Sequence, residues 1–269
     1  IAVSIAVKGQ PREKRSFTCK VTWLGALAGI AVVINLICFG PMSTLITLVT
    51  GSGQVSEETT GEASAVARAI AEEGFVLLEN EDAMLPLDEG TRLNLFGWAS
   101  TNPIYGGAGS GGINDLFPVV SLIDGLKEAG FEVNQDLVDF YLGYAESRAA
   151  VSITAQNWDL PEPPASTYTD ELISSSQGFS NTAVIVISRL AGEGHSDIPQ
   201  DMSQAIYQDN SDDYADFEAD DHYLQLSKSE ADMVDLVCRN FDDVIVIYNG
   251  AYAFELGFVE EYPQIKALI

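Results

Sequence analysis

Ala183-Val-Ile-Val-Ile187 and its later counterpart Val244-Ile-Val-Ile247 are the stretches on which the fold turns. Neither alternates between apolar and polar positions. An unbroken β-branched run of this length reads as a strand covered on both faces, as the central strands of parallel sheets are. Between them, Ser227 to Asn240 has helical spacing, with Ser227 or Ser229 as its cap. Working towards the N-terminus, Arg92-Leu-Asn-Leu-Phe96 and Phe131-Glu-Val133 read as strands. Helices are expected from about Pro118 to Ala129, ended by Gly130, and from Asp136 to Ala149. Glu62 to Glu73 forms another helix ended by Gly74, and Phe75-Val-Leu-Leu78 a short strand after it. Lys266-Ala-Leu-Ile269 reads as the start of one more buried strand, so the chain is taken as part of a longer polypeptide. Alternating strands and helices predict an α/β three-layer sandwich with a mostly parallel sheet over residues 62–269. Ligands of such sheets sit beyond the carboxyl ends of the strands, here the loops 97–116, 188–226 and 248–254.

A different kind of segment precedes this domain. Val21 to Phe39 is free of charge, and apolar character continues to Val49. About 20 apolar residues cross a bilayer as a helix, so residues 21–49 are expected to form a single transmembrane anchor. Residues 1–20 hold Lys8, Arg12, Lys14, Arg15 and Lys20 against the one acid Glu13, which places this basic segment in the cytoplasm and the domain outside the cell. Residues 50–61, rich in Gly, Ser and Thr, read as a linker. Net charge is −27, and the remaining 249 residues carry eight bases against 39 acids. Such a surface excludes nucleic acid as a partner, because phosphate binding needs clustered Lys and Arg. Of three cysteines only Cys238 belongs to the domain, so no disulfide forms within it, and Cys19 reads as an inert thiol.

Three motifs bear on chemistry. Gly107-x-Gly109-x-x-Gly112 has dinucleotide-binding spacing, but Phe117-Pro118 separates it from the next helix, so the helix N-terminus does not meet the glycines. Asp201 to Asp221 holds eight acids, yet Tyr214 or Phe217 stands where a calcium loop needs glycine, and the stretch reads as a solvated acidic insertion. The third is Ser188-Arg-Leu-Ala-Gly-Glu-Gly-His-Ser-Asp197, directly after the strongest strand. Gly192 and Gly194 free the backbone around Glu193 and allow it to project a carboxyl into a cleft. Arg189, His195 and Asp197 are candidates to position substrate hydroxyls or tune that carboxyl. One His among scattered acids lacks metal-ligand spacing, and neither metal nor cofactor is expected.

The order of these features resembles the α/β sandwich domain of glycoside hydrolase family 3, from about Ala67 to Ile269. Glu73-Gly-Phe-Val-Leu-Leu-Glu-Asn80 with Leu85-Pro-Leu87, Phe96-Gly-Trp98 with Tyr105–Gly112, and Ala183–Ser188 leading into Arg189-x-x-Gly-Glu-Gly194 carry it. So do Tyr223-Leu-x-Leu-Ser227 with Glu230, and Val244–Asn249. The resemblance implies an exo-acting retaining β-glycosidase, β-glucosidase-like, acting on oligosaccharides or glycosides. A barrel domain beyond Ile269 would bring the Asp nucleophile, and Glu193 would be the acid/base. His195-Ser-Asp197-Ile replaces the Asp-Arg that follows Gly-Glu-Gly in many relatives, which bears on substrate preference. The competing expectation is a non-catalytic cell-surface carbohydrate-binding or degenerate hydrolase domain.

Overall fold

A computed structural model describes residues 9, 11–50, 56–106, 119–146, 158–190 and 198–269. The chain divides into two compact units, Ile1–Glu73 and Gly74–Ile269. In the first, helix α1 spans Arg12–Cys38, α2 spans Pro41–Thr50 and α3 spans Glu57–Gly74. No residue of α1 is buried, and α1 is long and apolar enough to cross a membrane. The expected single segment 21–49 is thus two helices. Pro41 at the first position of α2 has no N–H to continue the ladder of α1. Glu57 to Gly61, expected as linker, lie in α3, which opens with two acids facing the positive end of the helix dipole.

The second unit is built on a six-stranded sheet of order β1-β6-β5-β4-β2-β3, where β1 is Glu79–Asn80, β2 Arg92–Phe96, β3 Glu132–Val133, β4 Thr182–Arg189, β5 Asp243–Gly250 and β6 Ile265–Leu268. All neighbours are parallel except β1 and β6. The two apolar runs are the adjacent strands β4 and β5, paired from Thr182↔Asp243 to Arg189↔Gly250. Ala183, Ile185 and Ile187 pack with Leu137 and Tyr141 of α5 (Gln135–Ala145), Ile173 of α6 (Asp170–Phe179) and Met233, Val234 and Val237 of α7 (Lys228–Asn240). Val184 and Val186 face the other way, onto Leu93, Leu95, Val138 and, from α4 (Leu122–Glu128), Leu122 and Leu126. Each fully buried Val, Ile or Leu among them contributes about 1.5–3 kcal/mol, which is why an unalternating run selects the sheet centre.

Two sequence expectations shift, and of the two caps offered for the helix before β5 one is selected. Strand β1 is Glu79–Asn80 rather than Phe75–Leu78: it pairs Glu79 with Leu268, and Leu78 N–H donates to Leu268 O at 2.8 Å. Helix α4 starts at Leu122, because Ser121 caps it through the N–H of Asp124. Ser227 caps α7 in a full capping box with Glu230. Cys238 is buried in α7, and burial pushes its thiol up to about 12.

Candidate active site at the carboxyl edge of the sheet

The strand order reverses between β2 and β4. From β2 the chain proceeds to β3 on one side, and from β4 it proceeds to β5 on the other. In open α/β sheets ligands bind beyond the carboxyl ends of the strands at such a reversal, which points to the ends of β2 and β4.

The turn leaving β2 is tightly held. Gly97 has φ +90°, and a Cβ there would collide with the carbonyl oxygen of Val186 in β4. Gly97 N–H donates to Tyr141 Oη at 2.6 Å, and Trp98 N–H to Glu162 Oε2 at 2.7 Å. The Trp98 indole meets Tyr144 edge-on, with ring centres 5.9 Å apart. Farther along, Ile104 N–H donates to Asn249 Oδ1 at 2.7 Å, and Ser188 Oγ donates to the same oxygen at 2.8 Å. Asn249 thus ties the ends of β4 and β5 to the loop from β2. Gly97→Ala should lower unfolding free energy by about 2–4 kcal/mol in a urea titration, since it adds both a disfavoured φ and a backbone collision. A loss below about 1 kcal/mol would show that the turn yields.

At the end of β4 stands Arg189, fully buried. Its Nε donates to Tyr223 O at 2.7 Å; Nη1 to Ser188 O at 2.9 Å and Glu230 Oε1 at 2.8 Å; Nη2 to Gln225 O at 2.6 Å and Glu230 Oε2 at 2.7 Å. All five guanidinium N–H groups are thereby used. Phe254 and Tyr223 face the guanidinium at 4.6 and 5.5 Å from their ring centres. Tyr223 Oη also accepts the N–H of Leu190, the residue after the strand. Glu193, His195 and Asp197, the other residues singled out from sequence, lie outside the described residues.

The acidic stretch is less solvated than expected. Asp216 is buried and accepts the N–H groups of Asn210 at 2.6 Å and Ser229 at 3.1 Å. Asp209 accepts Asp216 N–H at 2.8 Å. These carboxylates satisfy backbone donors of a turn-rich segment that has no ladder to do so. Among the described residues no group of three or more His, Cys, Asp or Glu is arranged to hold a metal.

Sequence reading missed Glu162. It is 2% exposed and accepts Tyr168 Oη–H at 2.7 Å besides Trp98 N–H of the turn after β2. Burial outweighs these bonds and pushes its carboxyl up to about 8. The one available signal was a lone acid between prolines in Leu160-Pro-Glu-Pro-Pro164.

A six-stranded open sheet whose order reverses between β2 and β4, with helices packed on both faces, defines the class: an α/β sandwich domain. Residues 75–269 match the glycosyl hydrolase family 3 C-terminal domain, and the chain belongs to that family. It is 28% identical over 207 residues to β-glucosidase A of Butyrivibrio fibrisolvens, covering 73% of this chain and 24% of that protein. It is also 28% identical over 193 residues to a β-glucosidase of Ruminococcus albus, covering 71% and 18% respectively. Among solved structures, a β-glucosidase from Paenibacillus barengoltzii matches with TM-score 0.58 and 29% identity over 75% of this chain and 20% of that one. β-Glucosidase 3B from Thermotoga neapolitana, in complex with α-D-glucose, matches with TM-score 0.58 and 27% identity over 77% and 26%. The chain spans about a fifth to a quarter of the length of these proteins.

Proposed function

We propose that this chain is the sandwich part of a membrane-anchored, exo-acting retaining β-glycosidase that removes terminal β-linked sugars, with Glu193 as its acid/base. The observation that carries the reading is the position of Gly192-Glu193-Gly194, four residues past the end of β4 in a domain of this family. The carboxyl end of β4, from which this stretch follows in sequence, is where the strand order reverses and where such sheets bind ligands. Retaining glycosidases need two carboxyl groups about 5–5.5 Å apart, one attacking and one protonating the leaving oxygen. The attacking group belongs, in this reading, to a barrel domain of a longer polypeptide, so the 269 residues alone are inactive. His195 and Asp197 are assigned to substrate hydroxyls. Arg189 is assigned to anchoring the root of the loop, because its donors are spent on the protein. Helix α1, with Arg12, Lys14, Arg15 and Lys20 at its start, is assigned to the membrane with the sandwich outside.

The test is hydrolysis of an aryl β-glucoside by the longer polypeptide, with the anomer of the first released sugar read by proton NMR. Release of the β-anomer is expected. The α-anomer would overturn the retaining mechanism, and saturable glucoside binding without turnover would leave a carbohydrate-binding domain instead.

A further inference from the structure

Glu162 is a buried carboxyl that the glycosidase reading does not use. Among the described residues no Lys, Arg or His nitrogen lies within ion-pair distance of it; its partners are hydroxyls and amides. Tyr168 Oη is 2.7 Å from Glu162 Oε1 and 2.7 Å from Tyr141 Oη, while Tyr141 Oη accepts Gly97 N–H. With the carboxylate ionised, the protons run in one direction. Gly97 N–H points to Tyr141, Tyr141 O–H to Tyr168, and Tyr168 O–H to Oε1, while Trp98 N–H takes Oε2. Every donor then has an acceptor, and the chain ends on the charge.

One added proton breaks this order. On Oε2 it would oppose Trp98 N–H. On Oε1 it must donate to Tyr168, which turns the Tyr168 proton towards Tyr141. The Tyr141 proton then retains only Oε1 at 3.5 Å, too long for a good O–H···O bond. Its oxygen must also accept Tyr168 O–H together with Gly97 N–H. The two amides served by the chain belong to consecutive residues of the turn that closes β2.

We propose that Glu162 is a proton-sensitive latch on the Gly97–Trp98 turn: ionised, it holds both amides through one directed chain, and protonated, it reverses the chain and loosens the turn. The consequence reaches the carboxyl edge of the sheet, because the segment leaving this turn runs to Asn249 at the ends of β4 and β5. Neither a glycosidase activity nor a role for Glu193 is assumed. Burial sets the working range by pushing the Glu162 carboxyl up to about 8, with the negative charge of Glu230 adding to it. The groups around it are Tyr141 and Tyr144 of α5, Tyr168, Glu230 of α7 with its partner Arg189 of β4, and Asp216 by way of Asn210. Tyr141 and Tyr168 are held well above 10, first by burial and then by the charge of Glu162, so both keep their protons while Glu162 titrates.

Gly97-Trp98 is the single Gly-Trp pair in the sequence. Labelling the full chain with carbonyl-13C glycine and amide-15N tryptophan therefore isolates the Trp98 amide in an NMR spectrum. Phenylalanine and glycine labels leave two signals, Gly40 and Gly97. The Trp98 amide is expected to shift with a midpoint near pH 8, and the Gly97 amide to share that midpoint. Glu162→Gln should abolish both titrations, and Tyr141→Phe should remove that of Gly97 while leaving that of Trp98. A Trp98 amide that stays constant from pH 5 to 10 in the folded chain overturns the latch, even if no variant folds. So does a titration that survives in Glu162→Gln.

Discussion

Changing Glu193 to Gln in the longer polypeptide is expected to lower kcat/KM for β-glucosides with alcohol leaving groups by about 10²–10⁴-fold, the usual contribution of a positioned general acid. The reason lies in the leaving oxygen. An alkoxide is too basic to depart unprotonated, whereas a dinitrophenolate departs without help. The loss in the glycosylation step should therefore shrink as the leaving group becomes more acidic, and the dependence of rate on leaving-group pKa should steepen. Gln fills the same volume and accepts hydrogen bonds but has no proton to hand over, so binding should change little. A series of aryl glucosides measured at one pH reads the slope. An equal loss across the series, or none, would remove Glu193 from the acid/base role. Chemical denaturation of the same variant separates a loss of chemistry from a loss of folding.

The second large effect concerns folding. Arg189→Met is expected to lower unfolding free energy by about 3–5 kcal/mol, because it leaves the Glu230 carboxylate buried without its cation. The same change strips donors from the carbonyls of Tyr223 and Gln225, which the guanidinium now binds. Adding Glu230→Leu removes the stranded charge and should restore part of the loss, so the pair's two single effects should exceed that of the double variant. Chemical denaturation of the three variants gives this coupling directly. If Arg189→Met unfolds within about 1 kcal/mol of the unsubstituted chain, the guanidinium is free for another role, and a substrate contact becomes the better assignment. The geometry argues for the structural outcome, since a ligand would have to displace partners 2.6–2.9 Å away.

Both effects originate at the end of one strand, and they separate cleanly. Arg189 fastens the end of β4 to the start of α7 and to the segment before it. The proposed role of Glu193 and the structural role of Arg189 are thus tested by different measurements, turnover for one and unfolding for the other.

How much of this was legible before the structure depends on how far apart the interacting residues stand. Val184 to Ile187 and Val244 to Ile247 announce buried strands because burial on both faces removes every polar position from a run, a local consequence of a global place. The Ser227–Glu230 capping box is equally local, three residues from donor to acceptor. The position of β1 was not local: apolar content suggested residues 75–78, but the register with β6 pairs Glu79 with Leu268. Helix α6 escaped notice because its Ser-rich sequence is low in apolar residues overall, and Ile173 is its one apolar buried residue.

The amino-acid order by itself determined the α/β class, the central strands, an apolar N-terminal helix and the glycine-flanked Glu193. Only the tertiary structure decided that Arg189 is spent on Glu230, 41 residues away, and that Glu162 lies under a turn 64 residues before it. A buried charge must find its partner wherever folding brings one, and nothing in the spacing of residues along the chain records that choice.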